Sequence, residues 1–125
     1  MDKKICLRTL DEFEAFEPNW DSYDALPFKK EYLDFIRSFI EELREDIPQP
    51  FIAPINDGTV QLEWDVNNKH LELEITKTKK IMWLKDKNIN LKTEKIFTNE
   101  KYETGTIDCE DIEKINELID WGMGE

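Results

Sequence analysis

Glycine, cysteine and histidine are all scarce in this chain, and long apolar runs are missing. Of 125 residues only 4 are Gly, 2 are Cys and 1 is His. No Gly-rich phosphate loop, Gly/Ser linker, internal repeat or low-complexity tract appears, so residues 1–125 are expected to form a single domain. With one His, zinc-spaced ligand sets and Ser-His-Asp triads have little to build on, and no Ser nucleophile elbow is present. Cys6 and Cys109 form no C-x-x-C pair and have no neighbouring His. Reduced thiols in a cytoplasmic protein are therefore expected, rather than a bridge between the terminal elements or a nucleophile. No run approaches the roughly 20 apolar residues that span a bilayer. The opening MDKKICLRTL meets Asp11 and Glu12 before an apolar core can form, so no secretory leader is expected there.

Acid and aromatic side chains are plentiful instead. Hydrophobic residues make up 39% and aromatics 11%, enough for a packed core and against disorder. The 29 Asp and Glu against 17 Lys and Arg give a net charge of −12. The acid is spread unevenly: residues 77–95 hold 7 Lys against Asp86 and Glu94, whereas residues 96–125 hold 9 acids against Lys101 and Lys114. Nucleic acid and anionic membranes should be repelled by most of such a surface, which disfavours direct nucleic-acid binding and points to a partner with a basic surface.

Thr9-Leu-Asp-Glu12 matches a capping box, and Leu10, Phe13 and Phe16 follow at helical spacing, predicting a short helix that ends before Pro18. Residues 18–27 read as a structured loop. Phe28, Tyr32, Phe35, Ile36, Phe39, Ile40 and Leu43 then recur at spacings of three and four, predicting a helix from about Phe28 to Glu45. Residues 48–58 read as an extended connection ending in an Asp57-Gly58 turn. Period two follows in Val60, Leu62, Trp64, Val66 and in Leu71, Leu73, Ile75, with shorter strands expected at Lys80–Lys85 and about Ile89–Phe97. Asp108 is the expected N-cap of a last helix running to about Trp121, with Gly122 ending it. The order implies an α+β fold, a four-stranded antiparallel meander with helices packed on one face.

The pieces NWDSYDALP, NDGTVQLEW and HLELEI resemble a widespread family of small bacterial proteins without an assigned activity. Its pattern runs N-W-D-G-x-G-A-x-P, an amphipathic helix, P-D-G-x-[VI]-x-L-E-W and an alternating strand. The resemblance covers roughly residues 19 to 76, with a looser echo in the last helix. Ser22 and Asp24 stand where the pattern has glycine, and Asn56 where it has proline. The resemblance implies a compact α+β domain of bacterial or mobile-element origin, with no catalytic residues to carry over.

The hairpin VQLEWDVNNKHLELEI carries Glu63, Asp65, Glu72 and Glu74 on its polar side. A two-residue Asn67-Asn68 turn would set Glu63 opposite Glu72 and Asp65 opposite His70. A four-residue loop would set Glu63 opposite Glu74 and Asp65 opposite Glu72. The first register is favoured because it removes one like-charge pair, worth about 0.2–1 kcal/mol. The plain reading is a solvated face neutralised by Lys77, Lys79, Lys80, Lys85 and Lys87. Contact with a partner, or a divalent-metal or acid/base site made by Glu63, Asp65, His70 and Glu72, are the sharper ones. In the loop, Trp20, Tyr23 and Asp24 are candidate partner contacts, although Trp20 is favoured as a plug between the long helix and the sheet. Met82 and Trp83 must point to opposite faces, so one of them would mark a partner or homodimer surface. The function expected is a non-enzymatic, acidic protein-interaction module needing no cofactor, of toxin–antitoxin, immunity or defence/counter-defence type. The alternative is a nucleic-acid mimic that inhibits a DNA- or RNA-binding protein, with a metal-dependent enzyme third.

Overall fold

The computed structural model describes residues 1–87 and 102–124. Helix α1 (Lys3–Glu14) begins earlier than the capping-box signature suggests. Asp2 is its cap, accepting from the Lys4 N–H at 2.9 Å, while Thr9 lies inside the helix and donates to the Ile5 carbonyl at 3.0 Å. The buried spacing Cys6, Leu10, Phe13 extends one turn upstream of the signature and overrides it. Helix α2 (Lys30–Glu42) buries Leu33, Ile36, Phe39 and Ile40 and is trimmed at both ends relative to expectation.

Five strands follow, one more than expected. Strand β1 (Phe51–Pro54) falls within what reads as a connection; it is short and lies at the sheet edge, where proline is tolerated. Strands β2 (Val60–Val66) and β3 (Lys69–Ile75) turn at Asn67 and Asn68, both with positive φ (54° and 63°), which fits a two-residue hairpin loop. Strands β4 (Lys80–Lys87) and β5 (Tyr102–Asp108) complete an antiparallel meander in chain order. The strand expected near Ile89–Phe97 lies outside the described residues. Asp108 ends β5 rather than capping a helix; Asp111 caps α3 (Ile112–Met123) by accepting from the Lys114 N–H at 3.1 Å. Gly122 does not stop α3 but is buried in it against Leu71, and the helix ends one residue on, with Gly124 as its C-cap. There Lys69 Nζ donates to the Trp121 and Gly124 carbonyls, both at 3.0 Å, meeting the negative end of the helix dipole. No helix among the described residues is long and apolar enough to cross a membrane.

One face of the sheet carries the core. Ile52, Leu62, Leu73 and Trp83 oppose one another across four strands, and Val60, Ile75, Ile81 and Ile107 form the next row. Onto them pack Leu10 and Phe13 of α1, Ile36 and Ile40 of α2, and Ile115, Leu118 and Ile119 of α3. Gly105 is the close-approach point of β5: a Cβ there would stand 2.5 Å from the Trp83 ring. Tyr32 joins the layers by hydrogen bonds. Its hydroxyl accepts from the Val60 N–H at 2.8 Å and donates to the Ile75 carbonyl at 2.6 Å, closing the last rung between β2 and β3 from α2. Burial raises its pKa well above the ordinary tyrosine value, keeping it a donor throughout the physiological range.

Tyr32→Phe leaves both backbone groups without this partner. It is expected to lower the unfolding free energy by about 1–3 kcal/mol in a urea titration. Tyr23→Phe, at a position 82% exposed, should leave the midpoint unchanged. Equal midpoints for both variants would mean that Val60 and Ile75 do not depend on the hydroxyl.

Candidate functional site

Alternation sends every second side chain of the five strands to the face away from the helices. Its rows are set by the strand register. Phe51, Glu63, Glu72, Leu84 and Thr104 form one; Ala53, Gln61, Glu74, Met82 and Thr106 form the next; Asp65, His70, Asp86 and Tyr102 form a third. The favoured hairpin register is the one observed, with Glu63 opposite Glu72 and Asp65 opposite His70. Carboxylates from β2, β3 and β4 thus share one face, bordered by the exposed apolar side chains of Phe51, Met82 and Tyr102.

The lysines expected to neutralise this face do not pair with its Glu63, Asp65, Glu72 or Glu74 carboxylates among the described residues. Lys85 opposes Leu71 and so projects to the helix side, where its Nζ lies 5.5 Å from the Trp83 ring centroid and 5.2 Å from that of Trp121. Lys87 shares that side by opposing Lys69. Lys79 stands over Phe35, 5.0 Å from the ring centroid. Lys80 does lie on the outer face, but pairs with Asp108 directly across from it. Parity explains the outcome: an odd-numbered residue of β4 faces the helices, an even-numbered one faces out. Among the described residues, no lysine or arginine forms an ion pair with Glu63, Asp65, Glu72 or Glu74.

His70 bridges two of them, Asp65 and Glu72. Its Nδ1 lies 2.7 Å from Asp65 Oδ1 and its Nε2 2.8 Å from Glu72 Oε1, with 15% of the side chain exposed. Burial alone would depress its pKa, but the bonds to Glu72 and Asp65 outweigh that and hold it above the ordinary histidine value. Both ring nitrogens can donate only in the imidazolium, so the geometry favours the charged form. Gln61 donates to Glu63 at 2.9 Å. The Glu74 carboxyl is pushed up by burial first, then by Asp57 and Glu72.

The same atoms could serve a divalent cation. Glu63, His70 and Glu72 each offer one ligand atom, all within 4.8 Å of one another. Neutral His70 would keep its Nδ1 proton on Asp65 and turn Nε2 to the ion, the usual outer-shell arrangement for a histidine ligand. Proton and metal would then compete for one nitrogen.

The loop residues are not part of this face. Trp20 stacks on Phe28 (centroids 5.8 Å apart) and tilts against Phe16 (5.1 Å), and its Nε1 donates to the Leu26 carbonyl at 2.7 Å. It closes the aromatic cluster beside α1 rather than a gap between α2 and the sheet. Asp21 Oδ1 accepts from the Tyr23 and Ala25 N–H groups at 2.8 and 3.1 Å, and Asn19 Oδ1 from the Asp24 N–H at 2.7 Å. Tyr23 and Asp24 are exposed. The loop joins the β1–β2 turn through Leu26 N–H to the Asn56 carbonyl at 2.9 Å, so it lies at the Val60 end of β2. Asp65 and His70 lie at the other end. Comparison with protein-family models, curated proteins and solved structures gave no match.

Phe51, Leu84 and Tyr102 are outer-face residues that sequence reasoning missed. Their parity relative to Ile52, Met82 and Ile107 was the available signal. Cys6 and Cys109 are free and buried, and burial pushes the Cys109 thiol up to about 11, so neither is primed as a nucleophile.

An NMR titration of the His70 ring should give a pKa above that of a free histidine, falling in both Glu72→Gln and Asp65→Asn. The stability this pairing adds is complete below the unfolded-state value of about 6.5. It is lost as pH rises through the raised folded-state value. Melting temperature should therefore lose a His70-dependent increment across that window, and His70→Gln should not show the loss.

Proposed function

We propose that the chain is a non-enzymatic, acidic protein-interaction module that docks a basic protein surface on the outer face of its sheet. The observation that carries this reading is the uncovered face itself. Glu63, Asp65, Glu72, Glu74 and Asp86 converge there from three strands without a neutralising lysine among the described residues, beside exposed Phe51, Met82 and Tyr102. A partner with Arg or Lys opposite the acids and apolar contacts at the borders would match it in both charge and hydrophobicity. Two buried free thiols fit a reducing, cytoplasmic setting. Positive φ at Ser22 (67°) and Asp24 (63°), where the resembled bacterial pattern has glycine, supports that kinship and with it a bacterial or mobile-element partnership of toxin–antitoxin, immunity or defence type.

A nucleic-acid mimic is the sharper form of the same reading. It too uses the ordered carboxylates of β2, β3 and β4, placed in a partner's phosphate-binding cleft. Acids in the helical blocks support it less. Asp11, Glu14 and Asp34 are gathered by Arg37, and Asp46 and Asp120 by Arg44.

The test uses the partner that co-purifies from the native host, with affinity measured at several salt concentrations. The double variant Glu63→Gln/Glu72→Gln is expected to weaken binding by about tenfold or more at low salt. Tyr23→Ala, at the far end of the sheet, should have little effect. Unchanged affinity in the double variant would remove the outer face from the interface. Competition by duplex DNA would select the mimic, whereas a melting-temperature rise with Zn²⁺ or Mn²⁺ that vanishes in Glu63→Gln would select the metal site.

A further inference from the structure

A cleft of about 370 Å³ opens where the start of α2 meets the β1–β2 and β3–β4 turns. Small-molecule sites run from about 300 to 1,000 Å³ and combine apolar walls with a few converging polar groups. Here Pro27, Tyr32 and Phe35 supply the walls, and Lys29, Lys77 and Lys79 supply cations against one acid, Glu31. That sign is opposite to the net −12 of the chain. None of these three lysines forms an ion pair among the described residues, although acids outnumber bases overall.

The geometry keeps the lysines at the cleft. Lys79 rests over the Phe35 ring and holds a left-handed φ of 65°. Lys77 Nζ runs beside Gly58, where a Cβ would stand 3.5 Å from it and 3.2 Å from the Pro27 carbonyl. Gly58 therefore suits the position twice over, by its φ of 87° and by its lack of a side chain. The N-cap of α2 is Lys29, which makes no side-chain capping bond, so no side-chain acceptor at that position covers the first-turn N–H groups.

We propose that this cleft binds a small organic phosphate, with the phosphate held by Lys29, Lys77 and Lys79 and the organic body against Pro27 and Phe35. Three lysines less one glutamate, together with roughly half a positive charge from the helix start, sum to about +2.5, nearer the charge of about −1.5 to −2 on a phosphate monoester than the single charge of a monocarboxylate. A monocarboxylate would leave part of that field uncompensated. The cleft lies at the Val60 end of the sheet and shares no residue with the outer acidic face, so the two sites stand or fall separately.

Titrating the full chain with phenyl phosphate, inorganic phosphate and phenol, followed by amide chemical shifts, tests the proposal. Phenyl phosphate should give saturating shifts at Lys30, Glu31, Gly58 and Lys77; inorganic phosphate should move the same amides with weaker affinity, and phenol should not saturate. Lys29→Gln/Lys77→Gln alters two exposed side chains, and retained shift dispersion will show that it folds. It should weaken phenyl phosphate by about tenfold. Four results overturn the proposal: no saturation with phenyl phosphate, equal shifts from sodium chloride at matched ionic strength, phenol binding as well as phenyl phosphate, or unchanged affinity in the double variant.

Discussion

The hydroxyl of Tyr32 fixes how the helical layer meets the sheet. It bonds a β2 donor and a β3 acceptor at once, from a side chain rooted in α2. A hairpin that slips by one residue exchanges its two faces completely. Tyr32 bonds the pair in which Val60 opposes Ile75, in a register whose parity turns Leu62, Leu73 and Ile75 toward the helices. Position of the carboxylates follows from the same choice. Glu63, Glu72 and Glu74 face away from the core because their neighbours face into it, and no separate force is needed to collect them.

Collecting them still has an electrostatic cost, and the chain relieves it sparingly. Directly opposed like charges across strands cost about 0.2–1 kcal/mol, small beside the roughly 1.5–3 kcal/mol contributed by each buried leucine or isoleucine on the other face. The core therefore wins, and the acids are carried along. His70 offsets the repulsion at the Val66 end, bridging Asp65 and Glu72. The lysines meanwhile go to tasks on the helix side or at the turns: Lys69 closes the end of α3, Lys85 lies over Trp83 and Trp121, and Lys79 covers Phe35. A sequence rich in lysine next to a run of glutamate thus produces segregated charge, not neutralised charge. Segregated charge leaves a field of one sign over the outer face.

The loop before α2 follows a different logic. Asn19, Ser22 and Asp24 all hold positive φ, a conformation that costs a non-glycine residue about 1–2 kcal/mol. Side chains of the loop itself supply the compensation: Asp21 and Asn19 accept three backbone N–H bonds, and Trp20 stacks into the aromatic cluster while bonding Leu26. Glycines at those positions would relieve the strain but leave the unfolded chain more freedom to lose. Tyr23 is thus exposed on a loop that is tied down from beneath.

Legibility in the sequence tracks how local the deciding interaction is. The β2–β3 hairpin was readable to the register because its turn residues, its period-two pattern and its charge pairs are all within sixteen residues. Helix α2 was readable because one apolar stripe specifies it. Strand β1 was not, since Pro50 precedes it, Pro54 ends it, and its pairing with β2 is what makes it a strand. Strand β5 hides for the opposite reason: Thr104, Gly105 and Thr106 show no apolar alternation, and Gly105 is selected by the Trp83 ring across the sheet rather than by its neighbours in sequence. The lysines follow the same rule. Their sign and number are plain in residues 77–87, but their side of the sheet depends on a parity fixed by β3. One residue of phase decides whether Lys85 neutralises Glu72 or lies over Trp121, and that phase belongs to the fold, not to the segment.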